Sequence, residues 1–182
     1  VTAAVAAAQR TPLLGIVAAA ELCGEPVLGE RRPTGAIVVA TAWPGQGWVV
    51  SWAGDSAAYS YQPKRECGRG VRRLTVPHTH GQLMRERGKP EEEARRWDSR
   101  IYNSLASSVH VGIRAISSDA PYLVLATDGL RLPADRIEAV LREHLSDPVL
   151  CADQLLKEAR TRSRDDIAVV VVPHPHPVDE RG

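Results

Sequence analysis

Tyr122-Leu123-Val124-Leu125-Ala126-Thr127-Asp128-Gly129 decides the reading of this chain, because it drives an apolar run straight into an acidic residue followed by glycine. A short apolar run bounded by a turn signal predicts a buried strand, here one that ends on a carboxylate. A counterpart lies near the C-terminus, where Arg164-Asp165-Asp166 leads into Ile167-Ala168-Val169-Val170-Val171-Val172 and sets its carboxylates at a strand's entrance. If the two strands pair antiparallel, the exit of one lies beside the entrance of the other. Asp128, Asp165 and Asp166 would then meet at one dry sheet edge, where like charges repel unless a cation lies between them. Carboxylate oxygens suit hard divalent ions. The same residues also have a plainer reading, since Asp-Gly is a common turn dipeptide and acids often flank strands as solvated ends.

Outward from these strands, the chain reads as an α+β domain. Thr2 to Leu22 predicts one or two helices, with Thr11-Pro12 as a cap and first-turn proline. A polar loop follows over Gly24 to Pro33. Gly35 to Ala42 and Trp48 to Ala53 read as strands of a hairpin joined across Pro44 to Gly47, Ala57 to Tyr61 as a third strand, and Val71 to Thr75 as a fourth. His78 to about residue 105 is an inserted flap, with helical stretches at Gln82 to Arg87 and Pro90 to Trp97 separated by Gly88. Gly112 to Ile116 is a further strand. After Gly129 come two amphipathic helices, one carrying Ile137, Val140 and Leu141, the other opened by Asp147-Pro148 and carrying Ala152, Leu155, Leu156 and Ala159. Residues 173–182, rich in proline and histidine, are expected to be a disordered tail after a domain of residues 1–172. Runs of strands followed by runs of helices favour antiparallel sheets with segregated helices.

Composition narrows the functional classes. A chain of 182 residues with 43% hydrophobic content buries a core as one domain, and a net charge of +1 gives no reason to expect a nucleic-acid partner. Trp43, Trp48, Trp52 and Trp97 read as packing residues and form no stacking platform. No apolar run reaches the roughly 18 residues of a membrane span. Three scattered cysteines, Cys23, Cys67 and Cys151, fit free thiols in a reducing compartment, so the expected location is cytoplasmic. His78 and His80, like His174 and His176, are expected to be solvated rather than metal ligands. Arg69, Arg72 and Arg73 read as a solvated loop or as a contact for an acidic partner.

Gly35-Ala36, Trp52-Ala53-Gly54-Asp55-Ser56-Ala57-Ala58-Tyr59, Leu74-Thr75 with His78-Thr79, Ala126-Thr127-Asp128-Gly129-Leu130 and Arg164-Asp165-Asp166-Ile167-Ala168-Val169 fall in one order across residues 34–172. This series resembles the metal-dependent, type 2C (PPM-type) serine/threonine protein phosphatases. The resemblance implies a four-layer sandwich of two antiparallel sheets flanked by helices, with a binuclear Mn²⁺ or Mg²⁺ centre. It implies that Asp128 and Asp165 are metal ligands, with Gly129 and Asp166 beside them, and that Asp55 helps hold a looser third ion. Asp166 stands where the family has asparagine. Leu132 stands where many relatives carry a further acid. The implied reaction is hydrolysis of phosphoserine or phosphothreonine in proteins by a metal-activated water, without a covalent intermediate.

Residues 1–33 contain no counterpart of the family's phosphate-gripping arginine or of its Asp-Gly-His-Gly element, whose aspartate bridges the metals and whose histidine is a general-acid candidate. No catalytic acid is therefore assigned, and the chain is expected to turn over weakly or not at all, either as a fragment, which the start at Val1 favours, or as a degenerate relative. The expected partners are a phosphoprotein substrate and a serine/threonine kinase or its target, with the protein a monomer. Two rivals remain: a catalytically inactive phosphatase-like binding or regulatory domain, and an unrelated α+β interaction domain in which Asp128 and Asp165 lie far apart.

Overall fold

The computed structural model describes residues 1–24, 35–63 and 70–175. The polar loop read over Gly24 to Pro33 lies outside them except for Gly24, as do Arg69, Cys67, His176 and the rest of the tail. In chain order the elements are α1 (Thr2–Ala7), α2 (Pro12–Glu21), β1 (Ile37–Trp43), β2 (Gly47–Ala53), β3 (Ala57–Tyr61) and β4 (Val71–Arg73). Then come α3 (His80–Glu86), α4 (Glu91–Arg95), a 3-10 turn at Leu105–Ser107, α5 (Ser108–Val111), β5 (Arg114–Ser118) and β6 (Tyr122–Ala126). The last elements are α6 (Ala134–His144), α7 (Pro148–Arg160) and β7 (Val169–Pro173). The strands form two antiparallel sheets flanked by helices, one ordered β1-β2-β5 and the other β4-β3-β6-β7. The chain divides into two compact units, the first comprising Val1–Thr41, Val49–Ser56 and Val76–Ile116, the second the remaining described residues.

In the first unit, Thr11 caps α2 by accepting the Leu14 N–H at 3.3 Å, with Pro12 in the first turn. The helix crosses α1 so closely that a Cβ on Gly15 would lie 2.6 Å from the Ala6 carbonyl oxygen. Ala6, Ile16, Ala19 and Ala20 bury themselves with Ala53 of β2 and Leu105, and half-buried Ile37, Val39 and Ile113 pack around them. Small residues allow this close layer, since each larger side chain would hold helix and strands apart. The flap begins at α3, capped by Thr79, which accepts the Gln82 N–H at 3.2 Å. Arg85 joins its two helical pieces, reaching Glu91 at 2.7 Å and Asp98 at 2.6 Å. These paired contacts hold the Glu91 carboxyl down at about 2, first through Arg85 and then through Arg95.

In the second unit, β3 pairs β6 with Ala57 opposite Ala126 and Tyr61 opposite Tyr122, and β6 pairs β7 with Ala126 opposite Val169 and Tyr122 opposite Pro173. One face of this sheet contributes Ala57, Tyr59, Tyr61, Val124, Ala126 and Val171 to a core completed by Ile137, Val140 and Leu141 of α6 and Cys151, Leu155 and Ala159 of α7. Those helical positions recur at three- and four-residue spacing, which is why both helices lie over the sheet. Asp147 starts α7, its Oδ1 accepting the N–H groups of Val149 and Leu150 at 3.0 Å each.

One unassigned segment takes form, and two expectations need correction. The segment from Leu105 to Val111, unassigned in the sequence, forms a 3-10 turn and a short helix, the 3-10 turn opening on a capping box in which the Ser104 N–H donates to Ser107 Oγ at 2.9 Å. β7 begins at Val169, two residues after Ile167, because Thr127 supplies a side-chain hydroxyl to the backbone where another ladder pair would form. The tail does not begin at residue 173. Pro173 closes β7, and His174 is 5% exposed, its Nε2 donating to the Gly47 carbonyl at 3.0 Å and its ring edge-on to Trp48.

Candidate functional site

The carboxylates at the end of the β6–β7 pair are placed by backbone geometry. Beyond Ala126, the Thr127 N–H donates to the Ala168 carbonyl at 3.1 Å. Its Oγ1 accepts the Ala168 N–H at 3.1 Å and donates to the Asp166 carbonyl at 3.3 Å. The chain then turns, with the Leu130 N–H on the Thr127 carbonyl at 3.1 Å. A Cβ on Gly129 would lie 2.6 Å from the Asp166 carbonyl oxygen, so glycine is what lets this turn rest against the approach to β7. The Asp128-Gly129 turn and the Asp165-Asp166 segment thus share one end of the sheet.

That end is wet, not the dry edge expected: Asp128, Asp165 and Asp166 are all exposed. Asp165 already has a cationic partner, since Arg131 Nη2 lies 2.7 Å from its Oδ2. The same oxygen accepts from Ser163 Oγ at 3.4 Å, and the Asp165 N–H donates to that hydroxyl at 3.2 Å. Arg131 had no place in the sequence reading; its only local signal is a cation three residues beyond a strand-ending acid. Leu132, where a further acid would stand, is buried in the core at 6% exposure.

In kind, these donors fit a hard divalent cation: they are carboxylate oxygens on two adjacent chain segments, and a positive group already rests on one of them. In number, no group of three or more His, Cys, Asp or Glu side chains capable of holding a metal ion occurs among the described residues.

Asp55 belongs to the first unit, where it is half-buried. It follows Gly54, whose φ of +100° and close approach to Ala36 both call for glycine, a Cβ there falling 2.5 Å from the Ala36 Cβ. His78 holds this turn from two sides: its N–H donates to the Gly54 carbonyl at 2.9 Å, and its Nδ1 accepts the Gly54 N–H at 3.3 Å. Asn103 Nδ2 reaches the same Nδ1 at 3.1 Å and the Gly112 carbonyl at 2.7 Å. Two donors converging on Nδ1 put the ring proton on Nε2 and keep the ring neutral. Burial, and secondarily Arg114, lower its pKa from the ordinary 6.5. The expectation of a solvated His78 is thereby overturned, its ring being 2% exposed beside Trp52, whereas His80 is exposed. The partners of His78 lie 24 and 25 residues away in sequence, beyond the reach of any local pattern.

No protein-family model and no curated protein matches the sequence. Solved structures match the fold. The PPM Ser-Thr phosphatase MsPP from Mycobacterium smegmatis aligns over 89% of this chain and 70% of its own, with a TM-score of 0.66 and 20% identity. A bacterial serine phosphatase aligns over 91% and 70%, with a TM-score of 0.71 and 18% identity. The catalytic domain of the serine threonine protein phosphatase PstP in complex with 2 manganese ions aligns over 76% and 57%, with a TM-score of 0.57 and 19% identity. The chain therefore has the fold of the PPM-type phosphatases. No helix among the described residues is long and apolar enough to cross a membrane.

Proposed function

We propose that this chain is part of a metal-dependent phosphoserine/phosphothreonine protein phosphatase domain, with weak turnover from residues 1–182 alone. The observation that carries this reading is the packing of the Asp128-Gly129 turn against the Asp165-Asp166 segment in a fold shared with such enzymes. Asp128 and Asp165 are the ligands proposed for Mn²⁺ or Mg²⁺, and Asp55 for a looser ion. A bound dication would acidify water and neutralise charge on the phosphoryl oxygens. Thr127 and Gly129 fix the two segments relative to each other, and Asp166 adds negative charge where the family has asparagine. The proposed substrate is a phosphoprotein, with a kinase or its target as partner, in the cytoplasm and with the domain monomeric. Weak turnover follows from the lack of an Asp-Gly-His-Gly element anywhere in the 182 residues.

The test is hydrolysis of an aryl phosphate and a phosphothreonine peptide with and without Mn²⁺. The reading expects slow, Mn²⁺-dependent turnover that Asp128→Asn abolishes and that an added segment bearing the missing element strengthens. Turnover indifferent to both Mn²⁺ and Asp128→Asn would refute it. The Arg131–Asp165 ion pair favours a second reading, a phosphatase-fold binding or regulatory domain. That reading expects no turnover with any metal, with or without the added segment, together with capture of a phosphoprotein.

A further inference from the structure

We infer that a cavity at the β3–β4 end of the second sheet binds a small hydroxylated oxyanion, a carboxylate or a phosphate monoester, with Arg72 and Ser118 as donors and Ser60 as acceptor. Its volume is about 440 Å³. Small-molecule sites run from roughly 300 to 1,000 Å³. Ser60 stands opposite Leu123 and Tyr61 opposite Tyr122, at the start of β6, whereas Asp128 follows the end of that strand. Cavity and carboxylates thus occupy opposite ends of one sheet, and the inference stands apart from the proposed roles of Asp128 and Asp165.

Strand alternation builds the site. Tyr59 and Tyr61 turn to the core under α6 and α7, so Ser60, and Arg72 directly opposite it on β4, leave the other face. The facing wall is the turn between β5 and β6, held at both ends. Gly47, at φ +84°, packs on the Ser118 carbonyl where a Cβ would overlap it, and the His174 N–H donates to the Pro121 carbonyl at 2.7 Å. This backing fixes the wall before any ligand arrives.

The hydroxyls that line the cavity are only partly used. Ser118 is 6% exposed and its Oγ accepts the Ala120 N–H at 3.3 Å, but its proton has no acceptor among the described residues. Ser60, 5% exposed, shows the converse: its hydroxyl donates to the Arg72 carbonyl at 3.4 Å and accepts from no described residue. A hydroxyl offers one donor and two lone pairs, and buried ones are normally spent. Arg72, exposed where it lines the cavity, forms no ion pair among the described residues, while Asp119 on the facing turn is already engaged. A guanidinium takes a carboxylate or a phosphate through two parallel N–H bonds. Ser118 adds a donor, and Ser60 accepts from a hydroxyl on the ligand.

The experiment is an amide NMR titration of the full chain, with divalent ions chelated, using glycerate and glycerol phosphate. Acetate serves as the carboxylate without a hydroxyl, and sodium chloride as the ionic-strength control. It is repeated on Arg72→Gln, Ser118→Ala and Arg73→Gln, the last removing a guanidinium that lies over Tyr59. The expected result is saturable shifts at Ser60, Arg72, Ser118 and Ala120 with at least one hydroxylated anion, at a Kd on the order of 1 mM or tighter. Arg72→Gln should weaken binding about tenfold or more and Ser118→Ala about threefold or more, with Arg73→Gln unchanged. Response to glycerate alone assigns a carboxylate, and to glycerol phosphate alone a phosphate. Shifts no larger than those of sodium chloride, equal affinity for acetate, or affinity indifferent to Arg72→Gln would overturn the site. Arg72 is exposed, so that variant keeps its fold and decides the matter even where Ser118→Ala does not.

Discussion

Acidification should destabilise this protein through His78 before Glu91 contributes. In the folded state the ring is neutral, pinned by N–H donors from Gly54 and Asn103 on Nδ1, and its pKa lies below 6.5 through burial and then Arg114, opposed by Glu86. In the unfolded chain the ring titrates near 6.5. Above that value neither state binds the proton, and the contribution is complete. Below it the unfolded chain takes the proton first, so stability falls as pH falls, by at most about 1.4 kcal/mol per pH unit until the folded pKa is passed. Glu91, held at about 2, loses its contribution only below about 4.5, outside this window. Urea unfolding followed by tryptophan fluorescence between about pH 7.5 and 5.5 gives the slope, and His78→Gln isolates it. The variant should be less stable at neutral pH and lack the histidine's share of the slope. Parallel curves for the two proteins would refute the neutral, buried assignment.

Leu141→Ala empties a fully buried position between α6 and the second sheet and should lower unfolding free energy by about 2–5 kcal/mol in urea titrations. Asp147→Ala removes the acceptor for two N–H groups at the start of α7 and should cost about 1 kcal/mol, read as a lower melting temperature. Gly129→Ala drives a Cβ into the Asp166 carbonyl; a loss of about 1–3 kcal/mol by urea titration, with weaker Mn²⁺ binding, is expected.

Where one chain segment carries its own periodicity, the sequence was legible. Ala57 to Tyr61 alternates and forms β3 as read; Ile137, Val140 and Leu141 share a helical face and bury it. The meeting of Asp128-Gly129 with Asp165-Asp166 was readable too, because both lie at ends of apolar runs that pair in register. What escaped depends on partners distant in sequence or on local side-chain bonds without apolar pattern. His78 and His174 look like loop polar residues until Gly54, Asn103 and Gly47 are brought to them. Leu105 to Val111 turns on serine hydroxyls. Arg131 acquires meaning only through Asp165, 34 residues later.

The central claim, that acids from the exit of β6 and the approach to β7 hold one dication, is tested most directly by anomalous diffraction at the manganese edge from Mn²⁺-soaked crystals of the chain and of Asp128→Asn. The account predicts a peak in contact with the carboxylates of both Asp128 and Asp165, and its loss in the variant. A peak elsewhere, or none at a concentration that saturates binding in solution, would contradict it.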